Sequence, residues 1–191
     1  MTSSLRIALI YGSARPGRFC DVVAEWTRRR ILAHGGFEID RIDPLDWPLS
    51  GRPSDSDEAR LQQLRQRLHA ADAFVVVTPE YNHGYPAALK SLIDACYEPW
   101  WAKPVAFVGY GASSGGLRAI EQLRQVYGGL HAVALRDCIA LPHAWRQFGE
   151  DGELREPQAV HGAMRTVLSR LSWWGWALRD ARQAAPYEAA A

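Results

Sequence analysis

Apolar residues along this chain come in two alternating rhythms. Short, mainly apolar runs, Leu5 to Tyr11, Ala73 to Val77 and Pro104 to Tyr110, read as strands, and Ala73 to Val77 has the form of a central strand covered on both faces. A further strand is expected within Ala132 to Leu141. Phe37 to Ile42 alternates apolar and polar residues, as a half-covered edge strand would. Between these runs the apolar positions take helical spacing: Phe19, Val22, Val23 and Trp26; Leu61, Leu64 and Leu68; Leu89, Leu92, Ile93 and Cys96; Ile120, Leu123 and Tyr127; and Val160, Met164, Val167, Leu168 and Leu171. Five strand-helix units without a composition break predict one α/β domain over residues 1–191, a doubly wound five-stranded parallel sheet in the order 2-1-3-4-5. The stretch from Asp43 to Asp57, rich in Pro, Gly, Ser and Asp, reads as a long surface loop. Residues 184–191 read as a frayed tail.

Two strand-to-helix turns carry the candidate chemistry. The first, GSARPGR at 12–18, offers a glycine for a sharp turn, the hydroxyl and amide of Ser13, and two guanidinium forks, Arg15 and Arg18, ahead of a helix N-terminus. It has neither Walker A spacing nor the GxGxxG of dinucleotide folds, so a mononucleotide phosphate suits it better than ATP. The second, TPEYNHGYPAALKSLIDA at 78–95, is stiffened by Pro79 and Pro86. Its Glu80, Tyr81, Asn82 and His83 provide polar and aromatic groups, and Gly84 permits close backbone approach, as a site for a flat heterocycle requires. His83 alone reads as a turn residue. A third glycine-containing turn spans 111–116.

Composition narrows the function. A formal net charge of +1 argues against a general nucleic-acid surface, which needs a basic patch. Cys20, Cys96 and Cys138 are far apart and lie in apolar stretches, as reduced buried thiols do. No run of ~18 apolar residues is present, and no signal-like apolar core precedes the first strand, so a cytoplasmic, membrane-free protein is expected. The six histidines lack the pairing of a metal site, and no metal is expected. Arg28, Arg29 and Arg30 read as a solvated helix end. Trp100, Trp101, Trp173, Trp174 and Trp176 read as core or dimer packing.

GSARPGR, PEYNHGYPAALKSLIDA and GYGASSGGLRAIEQLR at 109–124 together resemble the NADPH-dependent FMN reductase family, flavodoxin-like flavoenzymes that include quinone, azo-dye and chromate reductases. The resemblance covers roughly residues 5–150. It implies FMN and NADPH as cofactors, with Ser13, Arg15 and Arg18 on the flavin phosphate. It also implies Pro79, Glu80, Tyr81, Asn82 and Gly84 along the isoalloxazine and ribityl chain, and Ser113, Gly115 and Gly116 in a third flavin-facing loop. Many members carry a small polar residue at the position of Arg18 and Trp at that of Ala95.

The implied activity is ping-pong transfer of hydride from NADPH to flavin and then of electrons to a small acceptor such as FMN, a quinone or an azo compound. No side chain is singled out as a general acid or base; amides of the 113–116 turn are expected to face the charge developing at the flavin N1 and O2. Acceptor choice is expected to lie with the loops at 43–57, 97–103 and 142–156. The family commonly forms homodimers, so a homodimer or homotetramer is implied, with Trp100 and Trp101 as candidates to sit beside a partner's flavin. The rival readings are a flavodoxin-type electron carrier, against which the near-neutral charge argues, and a non-catalytic flavin-binding sensor.

Overall fold

The computed structural model describes residues 4–47, 49 and 55–187. Strands β1 (Leu5–Tyr11), β2 (Phe37–Ile42), β3 (Ala73–Pro79), β4 (Pro104–Gly111) and β5 (Val133–Pro142) form one sheet in the order β2-β1-β3-β4-β5, with every pair parallel. That is the flavodoxin-like order expected from the pattern. The helices are α1 (Cys20–His34), α2 (Asp55–Ala70), α3 (Ala87–Asp94), α4 (Leu117–Gly129), the short α5 (Ala144–Gln147) and the long α6 (Gln158–Ala184).

Alternation along each strand divides the core in two. Ile7, Leu9 and Tyr11 of β1, with Val75 and Val77 of β3, face α1 and α6. Ala8 and Ile10, with Phe74 and Val76, face α2, α3 and α4. The inner strands are apolar on both sides because both sides are covered, whereas β2 lies at an edge and keeps polar positions. Trp100 is fully buried, its ring 4.7 Å from that of Phe74 and its indole N–H donating to the Cys96 carbonyl at 2.9 Å. It is therefore a core residue.

Several expectations need correction. The 43–57 stretch is not all surface loop: Asp43 is buried, a single 3-10 turn follows at Pro44–Asp46, and α2 has begun by Asp55. The rest of that stretch, at 48 and 50–54, lies outside the described residues. Segment 97–103 precedes β4 and so stands at the amino edge of the sheet, opposite the ligand edge, and neither it nor Trp100 and Trp101 line this chain's own cleft. Arg29 and Arg30 are not a solvated helix end, because both pair with Glu153 at 3.2 and 3.3 Å and pin the loop after β5. The tail is packed at least to Tyr187, whose hydroxyl meets His131 Nδ1 at 2.9 Å and whose ring lies against Trp101; residues 188–191 lie outside the described residues.

The β4–β5 ladder also carries a bulge that the pattern did not show. Val105 pairs with Ala134 but Phe107 with Cys138, leaving extra residues on β5. Arg124 of α4 answers the disturbed ladder by donating to the carbonyls of Leu135 and Arg136.

Candidate functional site

The carboxyl ends of β1, β3 and β4 open into a cleft of about 460 Å³, within the roughly 300–1,000 Å³ common for small-molecule sites. Its lining comes from the turn after β1 (Arg15 to Phe19), from Pro79, Glu80 and Tyr81, from Tyr110 to Ala112, and from Trp145 of α5.

Gly12 makes the first turn possible. A Cβ there would lie 2.6 Å from the Val77 carbonyl oxygen, to which the Gly12 amide donates at 2.7 Å. Only a residue without a side chain lets β1 and β3 converge at this level. Ser13 is fully buried; its Oγ lies 2.9 Å from the Tyr81 hydroxyl and accepts the Arg15 amide at 3.3 Å. The first two loops are thus tied together by one hydroxyl pair. The α1 N-terminus has no side-chain cap at Phe19, which leaves first-turn amides available to an anion.

The two arginines of the first loop differ. Arg18 turns back into the protein: its guanidinium meets Asp43 through both arms, donates to the Ser13 carbonyl, and bonds Asp21 at 3.0 Å. Burial pushes the Asp43 carboxyl up, but the hydrogen bonds of Arg18 and the Leu45 amide and the charges of Arg18 and Arg41 outweigh it and hold the pKa below the usual range. Arg18 is accordingly a brace for the turn. Arg15 is exposed, forms no ion pair among the described residues, and lies over the Tyr81 ring at 5.9 Å.

The second turn is tighter than its sequence suggests. Tyr81 and Gly84 exchange backbone hydrogen bonds at 2.9 and 3.0 Å, while Asn82 (φ 49°) and His83 (φ 67°) between them are left-handed, the form of a type I′ turn. Asn82 is an exposed tip, and Gly84 faces Gln122 of α4, whose amide donates to the His83 carbonyl at 2.9 Å. Glu80 spends its carboxylate on the start of α4, accepting the Arg118 amide at 3.1 Å and the Arg118 guanidinium at 2.8 Å. Because Gly116 gives α4 no side-chain cap, Glu80 acts as the cap from another loop. Burial raises its pKa, and Ser114 and Arg118 together bring it below the ordinary value.

In the third turn Gly115 (φ 62°) and Gly116 (φ 93°) are buried. A Cβ on Gly115 would lie 2.7 Å from the Pro142 nitrogen, and one on Gly116 2.6 Å from the Tyr110 nitrogen. Both serve the fold-back of the turn onto β4 and β5. The Gly115 amide donates to the Ala112 carbonyl at 3.2 Å, and Ser113 is exposed.

Arg15, Arg18, Pro79, Glu80 and Tyr81 are therefore gathered at the cleft, with Ser13 buried behind Tyr81, while Asn82, Gly84, Ser113, Gly115 and Gly116 stand outside its lining. Asp43, Tyr110, Arg118 and Trp145 were not read as site residues. Only Asp43 followed by Pro44 carried a local signal, that of a turn start, and its side chain does accept the Leu45 amide. The groups present fit a flavin mononucleotide. Asp43 and Glu80 are each held by arginines, so the uncommitted charge at the cleft is the cation of Arg15, beside free helix amides; Pro79, Tyr81, Tyr110 and Trp145 provide walls for a planar ring. Among the described residues no group of three or more His, Cys, Asp or Glu side chains could hold a metal, and no helix is long and apolar enough to cross a membrane.

The comparisons with known proteins agree with this geometry. The sequence model of the NADPH-dependent FMN reductase family matches residues 5–146. An NAD(P)H-dependent FMN reductase of Schizosaccharomyces pombe is 37% identical over 64% of this chain and 66% of its own length. A 2-hydroxy-1,4-benzoquinone reductase of a Burkholderia species is 33% identical over 94% of this chain and 99% of its own. Among solved structures, the flavoenzyme NAD(P)H:(acceptor) oxidoreductase of Paracoccus denitrificans superposes with a TM-score of 0.70 at 21% identity, over 89% of this chain and 97% of that one, a likeness of fold. With the family match covering most of the strand-helix units and all three turns, the chain belongs to the NADPH-dependent FMN reductase family, oxidoreductases that work with FMN and NAD(P)H.

Proposed function

We propose that this protein reduces a small planar acceptor at the expense of NADPH in a ping-pong cycle, with FMN held in the cleft at the carboxyl edge of β1, β3 and β4. The observation that carries this reading is the uncommitted Arg15 beside the uncapped N-terminus of α1, at the mouth of a cleft with aromatic walls. Bound FMN supplies two-electron acceptance from the nicotinamide and donation to the second substrate.

The chain's own residues do the rest. Arg15, Ser13 and the first-turn amides of α1 hold the phosphate, and Arg18 fixes the turn that presents them. Backbone groups of the Pro79–Gly84 turn edge the ring system, with Tyr81 anchored to Ser13. Amides of the 113–116 turn would supply donors for negative charge developing on a bound flavin, with Gly115 and Gly116 setting the path of that turn. No side chain at the cleft need carry a proton. Trp145, 53% exposed at the rim, bounds the space for the acceptor. Relatives named for FMN, a benzoquinone and azo compounds point to the same class of flat, electron-poor acceptors. The remaining parts of the proposal are a single domain over the whole chain, a homodimer or homotetramer, and a cytoplasmic location.

The test is the visible spectrum of the protein after FMN addition and desalting, followed by anaerobic NADPH. Retained flavin bands that bleach with NADPH and return on adding a benzoquinone support the reading. Bands that NADPH cannot bleach overturn it in favour of an electron carrier or sensor. A protein that neither retains FMN nor oxidises NADPH in its presence refutes the assigned site.

A further inference from the structure

A second cavity, with no lining residue in common with the cleft, lies between α1 and α6. The two helices run side by side in the same direction and meet at two levels. At one, the His161 ring stacks on that of Trp26 with centroids 6.1 Å apart, and His161 Nε2 lies 3.5 Å from a terminal nitrogen of Arg30. At the other, His34 Nε2 lies 3.2 Å from Ser169 Oγ. Between these contacts α1 presents Ala33, whose methyl group does not fill the space, and a groove of about 270 Å³ remains. Its floor is Met164 and Leu168, both buried core residues.

Every titratable group lining the groove is basic: Arg30 and His34 from α1, His161 and Arg165 from α6. Glu153 meets Arg29 and Arg30 but does not line the cavity. Arg30 keeps a buried Nε with no acceptor, and Arg165 is exposed and forms no ion pair among the described residues. An anion supplies what these donors lack. An inorganic ion would leave the Met164–Leu168 floor bare, and a neutral apolar molecule would leave the guanidiniums unanswered, so the complementary ligand carries both features. From His161 to Leu168 the helix rises about 10 Å, and the volume lies just under the roughly 300 Å³ at which small-molecule sites begin. The fit is therefore to a short apolar chain with one anionic head.

We infer that the α1–α6 groove is a binding site for a free aliphatic monocarboxylate, its head between Arg30 and Arg165 and its chain along Met164 and Leu168. No residue of the groove takes part in the cleft, so the two sites fill independently. His161 gives the binding a proton signature. Burial, with the charges of Arg30 and Arg165 against that of Glu153, holds its pKa below the ordinary value. Trp26, which stacks on the ring, is uncharged, and His34 stands at the far end of the groove. A carboxylate arriving beside His161 favours its charged form, so binding draws a proton onto the protein. Affinity for a ligand that stays ionised therefore rises as pH falls through the histidine range.

Calorimetric titration with sodium octanoate, in two buffers of different ionisation enthalpy, tests this, with circular dichroism to verify folding of each variant. The wild type should bind one octanoate per chain, saturably and with proton uptake near neutral pH, and should bind neither acetate nor 1-octanol at the same concentrations. Arg165→Glu should weaken octanoate at least about tenfold, the loss of a charged hydrogen bond. Ala33→Phe, which fills the groove without changing its charge, should abolish binding, and His161→Gln should keep binding but lose the proton uptake. Arg15→Ala should bind octanoate as the wild type does, which keeps this result apart from that of the cleft. Equal affinity for 1-octanol, or unchanged octanoate binding in folded Arg165→Glu and Ala33→Phe, would overturn the assignment. So would binding that disappears in Arg15→Ala, which would put the ligand in the cleft. Absence of octanoate binding also overturns it; if phosphatidylglycerol vesicles then capture the protein, the basic rim serves a lipid surface instead.

Discussion

Replacing Asp43 with alanine should destabilise the protein far more than its position after an edge strand suggests. The Asp43 side chain is 2% exposed and that of Arg18 6%, so the substitution takes from a buried guanidinium its bidentate partner and leaves it only the exposed Asp21 and the Ser13 carbonyl. The Leu45 amide, which donates to Asp43 at 3.0 Å, loses its acceptor as well. Breaking a buried ion pair from one side costs about 3–5 kcal/mol. For a chain of this size each kcal/mol corresponds to roughly 2–4 °C, so thermal unfolding should begin about 6–20 °C lower.

The cost belongs to the buried charge left under-paired rather than to a large intrinsic value of the pair. Arg18→Met combined with Asp43→Leu should therefore recover most of the loss. The pH dependence has a definite sign. Asp43 has a folded pKa below its unfolded value of about 3.9, so its contribution is complete above that value and disappears as pH falls through the depressed one. The wild-type advantage over Asp43→Ala should shrink over that acid range. Calorimetry or urea unfolding of the apo protein reads all three effects. A melting loss under about 2 °C, or a double variant as unstable as the single one, would refute the brace.

Arg15→Ala should leave the apo melting temperature unchanged but weaken FMN binding by roughly 10- to 150-fold, the worth of a charged hydrogen bond; fluorescence quenching of FMN measures it, and equal affinities would remove Arg15 from the phosphate site. Gly116→Ala, with φ 93° and a new Cβ 2.6 Å from backbone nitrogen, should cost more than about 2 kcal/mol, and an unshifted urea midpoint would show that the turn can relax. Lys103 is brought to about 7 by burial and by Arg182, against Asp72, so the stability of wild type relative to Lys103→Met should rise as pH climbs from about 7 toward the unfolded value of about 10.4. A flat difference over that range would mean that the Leu68 and His69 carbonyls, which accept from Lys103 at 3.1 and 2.7 Å, keep it charged. Trp145→Ala should alter KM for a benzoquinone without changing FMN retention, as steady-state kinetics would reveal.

The legible parts of the fold were those in which one physical cause acts over consecutive residues. Burial on both faces makes β1 beyond Arg6, β3 and β4 largely continuous apolar runs, and one-sided burial gives α1 and α6 their helical spacing, so order and topology followed. The turns were legible as turns because glycine and proline mark them. The illegible parts were pairings over distance. Arg18 and Asp43 lie 25 positions apart, and Glu80 and Arg118 lie 38 apart, with nothing local to announce either bond. The first loop by itself offers Arg15 and Arg18 as like guanidiniums, and the resemblance alone set Arg18 apart; it is the buried carboxylate beside Arg18 that separates the brace from the uncommitted cation. The β5 bulge was invisible for a similar reason, since its signature is a change in partner rather than in residue type.

The near-zero charge of the whole chain also conceals a division of labour that bears on how it would hold the proposed phosphate. Arg18, Arg41 and Arg118 face Asp21, Asp43, Asp46 and Glu80 in pairs that position the turns. Their fields are largely spent within the protein, and none is free to follow a ligand without loosening a turn. Arg15 carries the reverse assignment: it contributes nothing to the ion-pair framework and stands over Tyr81, which is itself tied to Ser13. An anion arriving there meets a cation that needs no structural bond broken, beside helix amides already oriented. On the proposed placement of the phosphate, binding and folding fall to different neighbouring arginines, so variants of Arg15 and of Arg18 should fail in different assays.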